Sequence, residues 1–200
     1  MQLPTAEMNV FEAILARRSV RSYIGKEVDP STIRTLLEAA VHAPTAVDEE
    51  PWAFVIVQDR QVLQQLSERA KPLFAEEMHR SGLERAGHAL DIFTSPDFNI
   101  FYDSGTLIII CAKSMGPSVA ADCWLAAENL ILAACSMGLG TCVIGASLPA
   151  LNIPEVKSQF GITHEFCAIA PIIVGYPLGE TAPTPRKAPL ILNYLATAGG

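Results

Sequence analysis

Residues 165–175 read EFCAIAPIIVG, an apolar run with no polar alternation. A strand that is apolar on both faces must be covered on both, so it sits centrally in a sheet with other layers on either side. Two more short apolar runs, AFVIVQ at 53–58 and strand-like residues 106–112, supply neighbours for it. Helix signals fill the intervals. Asn9 and Glu12 form a capping box that opens a helix running to Arg17, with Phe11, Ile14 and Leu15 on its apolar side. Asp29 before Pro30 caps a second helix with Ile33, Leu36, Leu37 and Ala40 facing inward, ended by Pro44. Asp59 opens a third, containing Val62, Leu63 and Leu66. The charged stretch 68–90 is predicted helical with an interruption near Pro72, and FTSPDFNIFYDS at 93–104 reads as an aromatic-rich loop. A long helix over 118–137 stops at Gly138, followed by a glycine-bearing connection over 139–152. Beyond Tyr176 the chain is a tail with prolines at 177, 183, 185 and 189. Three or four strands among five or six helices give a layered α/β or α+β domain, and 200 residues suit a single one, spanning 1–200.

Composition narrows the function classes. Half the residues are hydrophobic, 18% are charged and the mean hydropathy is +0.30, too apolar for a disordered chain. The net charge of -7 argues against non-specific binding to nucleic acid or anionic lipid. A membrane span is not expected, because the uncharged run after Asn129 is broken by Gly138, Gly140, Gly145, Pro149 and Pro154. The opening MQLPTAEMNV has neither a basic nor an apolar signal region, so a cytoplasmic location is expected. Cys111, Cys123, Cys135, Cys142 and Cys167 lie in apolar stretches and form no CxxC pair, which suits small buried residues in a reducing compartment. Four scattered histidines make a zinc site improbable. The chain therefore carries surplus apolar surface to bury against something else.

Four segments could carry chemistry. Arg17-Arg18-Ser19-Val20-Arg21 concentrates three guanidinium groups in an acidic protein, which suits a bound anion as well as a helix C-terminus. Ala43-Pro44-Thr45-Ala46 is a small loop leading through Asp48-Glu49-Glu50 to Pro51-Trp52, open to close approach by a flat ligand or merely an ordinary connection. Gly138-Leu139-Gly140-Thr141-Cys142-Val143-Ile144-Gly145 lacks the spacing of a dinucleotide or P-loop motif, leaving a helix stop and exposed backbone amides. Arg186-Lys187 is an isolated basic pair in the tail, a second phosphate clamp or a solubilising pair.

In this order, the four segments resemble the nitroreductase family of FMN-dependent oxidoreductases. The resemblance runs from about Val10 to Lys187 and rests on RRSVRSY at 17–23, APTA and PW within 43–52, AAENLILAACSMGLGT at 126–141, VIG at 143–145 and the late PRK. It implies an α+β fold, a mainly antiparallel central sheet wrapped by helices, in a homodimer whose C-terminal extensions are exchanged. FMN would lie at the subunit interface. By the same resemblance Arg17, Arg18, Ser19 and Arg21 would hold its phosphate, ribityl chain and pyrimidine edge, and Arg186 with Lys187 its phosphate. Pro44, Thr45 and Ala46 of the other subunit would line the ring, and Ile144, Gly145 and Ala146 would set a backbone N–H near N5.

The implied activity is ping-pong hydride transfer from NADH or NADPH to nitroaromatic, quinone or enone acceptors, with no catalytic side chain required. Phe93, Phe98, Phe101 and Tyr102 would cover the ring and shape the acceptor pocket. The acidic triplet departs from the family pattern, which often has an amide there. Glu50 could accept the flavin N3–H or disfavour the reduced anion. That departure keeps open a flavin-binding protein without reductase turnover, serving FMN storage, sensing or flavin consumption. An unrelated enzyme with Cys142 as nucleophile is the remaining alternative.

Overall fold

The computed structural model describes residues 8–46, 50–81, 91–95, 97–113 and 118–195; Asp48 and Glu49 lie outside them. Four strands form one sheet: β1 (Trp52–Val57), β2 (Thr106–Lys113), β3 (Gly140–Val143) and β4 (Phe166–Gly175). Their order is β1-β2-β4-β3 and every neighbouring pair is antiparallel. The antiparallel sheet makes the fold α+β. The doubly apolar run is β4, an inner strand as its composition demands. Thr106 pairs with Val174 and Lys113 with Phe166, with a register shift between Ile110 and Cys111.

Alternation along β2 divides the core into two. Leu107, Ile109 and Cys111 join one cluster, while Ile108, Ile110 and Ala112 join the other. The first is covered by α3 (Arg60–Arg80), α6 (Leu148–Leu151) and α7 (Pro154–Gln159), the second by α2 (Pro30–Val41) and α5 (Val119–Ser136). Helix α1 (Val10–Ala16) rests on α5, and α4 (Asp91–Thr94) lies against α3.

The caps operate as the sequence implies. Asn9 accepts from the Glu12 N–H at 3.0 Å while Glu12 accepts from the Asn9 N–H at 2.7 Å. Asp29 accepts from the Thr32 N–H at 3.0 Å and both its oxygens take hydroxyls, which holds its carboxyl well below the usual range. Helix α5 ends in a Schellman turn: Gly138 sits at φ +74°, its N–H donates to Cys135 O, and the Leu139 N–H donates to Ala134 O at 2.9 Å.

Three sequence expectations need correction. The 139–152 connection contains β3, a 3₁₀ turn over Gly145–Ser147 and α6. Helix α3 runs through Pro72 without a break. The ring and Glu68 are both exposed, so the carbonyl that loses its donor is on the watered side. The apolar side of α1 faces outward, with only Ala13 buried and Phe11 and Leu15 each 75% exposed. Helix α5, with 18 residues and hydropathy 1.3, is long and apolar enough to cross a membrane by length and composition. Here it is a core helix, packed on β2, β4 and α2 with Asp122 in its first turn.

Candidate functional site

The site starts where α1 ends. The Arg17 N–H caps the helix by donating to Ala13 O at 2.9 Å. Arg18 curls back, with Nη1 donating to Leu15 O at 2.6 Å and Arg17 O at 2.9 Å, placing its charge on the negative end of the helix. The chain then docks on the edge of β3. The Val20 N–H donates to Thr141 O at 2.9 Å, and Ser19 and Thr141 form a parallel bridge. A Cβ at Gly140 would lie 2.8 Å from Val20 Cβ, so only glycine permits this approach. The glycines of 138–140 thus serve a helix stop and a close crossing.

Docking sends the three arginines to two places. Arg17 and Arg18 line a cavity of about 290 Å³ with residues 138–141, Pro177 and Thr181. Arg17 is only loosely paired, its Nε 3.9 Å from Glu128 Oε1. Arg21 lines a second cavity of about 320 Å³ with Tyr102, Phe93, Phe74 and the run from Cys142 to Ala146. Its guanidinium lies 5.9 Å from the centre of the Tyr102 ring. Burial pushes the Tyr102 phenol up, opposed by Arg21.

The backbone at 144–146 is divided in its use. The Ile144 N–H is committed to Pro171 O at 2.9 Å, and Ile144 O accepts from both the N–H and the hydroxyl of Ser147. The opening amides of the 3₁₀ turn, at Gly145 and Ala146, are the ones such a turn leaves without an internal acceptor. The Cys142 thiol is buried and pushed up chiefly by that burial, which keeps it protonated and disfavours a nucleophilic role.

The remaining sequence candidates lie elsewhere in one chain. Pro44, Thr45 and Ala46 sit at the start of α5, where the Ala46 N–H faces the Asp122 carboxylate oxygens at 3.3 and 3.4 Å. Cys135, which borders the Arg17 and Arg18 cavity, is near the other end of that helix. At 1.5 Å rise per residue the two positions are about 20 Å apart. Glu50 is exposed, with φ +43° in the left-handed region. Arg186 and Lys187 are exposed on the extended tail and line neither cavity. Of the aromatic loop, Phe93 and Tyr102 reach the second cavity, Phe98 packs between them, and Phe101 is fully buried core. Sequence reasoning missed Phe74, whose helical spacing on α3 gives no sign that it meets Phe93.

Comparison with known proteins follows the same lines. A model described as the nitroreductase family matches residues 14–176. A provisionally named NADH dehydrogenase/NAD(P)H nitroreductase of Methanothermobacter thermautotrophicus is 30% identical over 176 residues, 86% of this chain and 79% of that protein. An FMN reductase (NAD(P)H) of Bacillus subtilis is 24% identical over 196 residues, 94% of this chain and 74% of its own length. A nitroreductase structure with bound FMN from Bacteroides fragilis superposes with a TM-score of 0.77 at 27% identity, covering 94% of this chain and 98% of that one.

Proposed function

This chain belongs to the nitroreductase family, and from that premise we propose that its 17–21 segment is the spine of an FMN site. The protein is an FMN-dependent NAD(P)H oxidoreductase. The donor set fits the cofactor. Arg17 and Arg18 border one cavity and suit a phosphate, Ser19 lies between, and Arg21 borders the next cavity with the amides of Gly145 and Ala146. That division of one short segment between two cavities, which border the successive β3 residues Thr141 and Cys142, is the observation that carries the reading. It matches a ligand with a dianionic head, a polyol stem and a flat ring.

FMN held there would supply the redox chemistry, hydride transfer in ping-pong order between NADH or NADPH and a nitroaromatic, quinone or enone acceptor. The chain's own groups do the rest. Arg21 stabilises negative charge that develops on the pyrimidine edge. The Gly145 and Ala146 amides offer a hydrogen bond near N5. Tyr102 and Phe93 exclude water from the acceptor's place.

The site is completed by a second copy of the chain. Within one chain Pro44, Thr45 and Ala46 line neither cavity, so in this reading they come to the ring from the other subunit. Arg186 and Lys187 reach the partner's phosphate on the exchanged tail, and Glu50 accepts from the ring's N3–H. In this reading residues 1–200 act as one FMN-binding domain of a cytoplasmic homodimer.

Titrating FMN into the apoprotein, followed by quenching of flavin fluorescence, tests the assignment. One FMN per chain is expected. Arg17→Ala and Arg21→Ala should each weaken binding at least about tenfold, since a charge-assisted hydrogen bond contributes about 1.5–3 kcal/mol. Unchanged affinity in both variants would remove the segment from the site.

A further inference from the structure

Helix α3 buries its Leu63, Leu66 and Ala70 side, yet polar residues lie beside them. Gln64, Ser67 and Lys71 fall at i, i+3 and i+7, on one face of the helix. Ser67 is fully buried and Lys71 only 8% exposed. Polar groups buried in that way cost stability unless they are bonded. All three are bonded, and all three to the same strap of chain. Gln64 Oε1 accepts from Asn99 Nδ2 at 2.9 Å, and Ser67 Oγ accepts from the Ile100 N–H at 3.0 Å. Lys71 Nζ donates to Ser95 O at 2.9 Å and to Phe98 O at 3.0 Å.

The strap carries the aromatic wall of the Arg21 cavity. Ring centres run from Phe93 to Phe98 at 5.6 Å and from Phe98 to Tyr102 at 5.5 Å, both edge to face. Tyr102 then meets Arg21. Tyr102 and Asp103 are consecutive non-glycine residues in the left-handed region, at φ +52° and +56°. Such a pair persists only where its surroundings hold it. The hold is two-sided. The Tyr102 N–H donates to Asn99 O at 2.9 Å, while beyond the strained pair Ser104 Oγ donates to Val174 O on β4 at 2.9 Å.

We propose that Gln64, Ser67 and Lys71 are positioning residues for acceptor choice, a polar stripe that clamps the strap and fixes Phe98 and Tyr102 as a rigid wall beside Arg21. The wall keeps the acceptor's place a narrow slot, which admits flat molecules and rejects bulky ones. None of the three lines the cavity, so each acts through the rings. The inference rests on the FMN-site reading for the identity of the slot, but the clamp itself does not.

The test uses Lys71→Met, the milder Ser67→Ala, and Lys71→Arg as the conservative variant. Amide exchange of the apoprotein reads the clamp without flavin. Lys71→Met should speed exchange at Ile100 and Tyr102 about tenfold while β2 and β4 amides keep their rates, and Lys71→Arg should restore most of the protection. In the FMN-loaded protein, KM for an unsubstituted quinone should rise about tenfold with kcat within about twofold, and discrimination against a bulky quinone should narrow. If Lys71→Met does not fold, Ser67→Ala decides by the same readings. Unchanged exchange at 100–102 overturns the clamp. Faster exchange with the same preference between the two quinones overturns the role in acceptor choice. A protein that takes up no FMN contradicts the flavin reading, while the exchange result still decides the clamp.

Discussion

Gly140 has no room for a side chain, because any Cβ there meets Val20. That crossing fixes the path of Arg17 to Arg21 past β3, so Gly140→Ala should act on fold and site together. The expected cost is about 1–3 kcal/mol, as for other overpacked contacts, read as a lower urea midpoint with an unchanged slope. FMN affinity should fall with it, and a variant with wild-type stability and affinity would contradict the role given to the crossing. The arginines are legible in the sequence because their local density is unusual in an acidic chain. Their division between two cavities is not, since it depends on an edge contact between segments far apart in the chain. Gly140 is visible as a glycine, but its reason lies in Val20 and emerges only with the fold. Tyr102 is visible as one of a run of aromatics, whereas its contact with Arg21 is not.

At the scale of elements, the ends of α1, α2 and α5 can be read directly because capping is local chemistry. The outward face of α1's apolar side and the clamp on α3 cannot, because each depends on what lies opposite. Strand β3 escapes a pattern reading as four residues opening on a glycine, too short to show a period. Pro72 misleads for a physical reason: proline predicts a break, but an exposed ring beside an exposed Glu68 leaves its carbonyl to water. The helix therefore persists at a cost. Pro72→Ala should restore the missing bond and raise stability by about 1–3 kcal/mol, seen as a higher Tm. A lower Tm would mean that the ring makes packing contacts outweighing the lost bond.

At the scale of the whole molecule the apolar surplus lies on the surface of the chain. One chain exposes 12440 Å², whereas a compact monomer of 21.5 kDa would expose about 9,200 Å². Much of the excess is apolar: Phe11, Ile14 and Leu15 on α1, Trp124 and Leu125 on α5, and Leu190 to Leu195 on the tail. Roughly 3,000 Å² per chain, about 6,000 Å² over a pair, is at the large end of what obligate dimers bury. Sedimentation should therefore give twice the chain mass. Replacing Phe11 and Leu15 together by Glu should raise the monomer fraction and weaken FMN binding, because the partner's Pro44, Thr45 and Ala46 would be lost from the ring. A wild-type monomer that retains FMN would contradict the shared site. Composition by itself discloses the surplus; that Pro44, Thr45 and Ala46 line neither cavity within one chain emerges only with the fold.

The most direct test of the FMN-dependent reductase is an anaerobic titration of the purified protein with NADH and then NADPH. The expected protein is yellow, its visible flavin band bleaches with one equivalent of at least one nicotinamide, and adding a quinone restores the band with steady turnover. Bound FMN that neither nicotinamide bleaches, or protein that stays colourless when mixed with FMN, would contradict it.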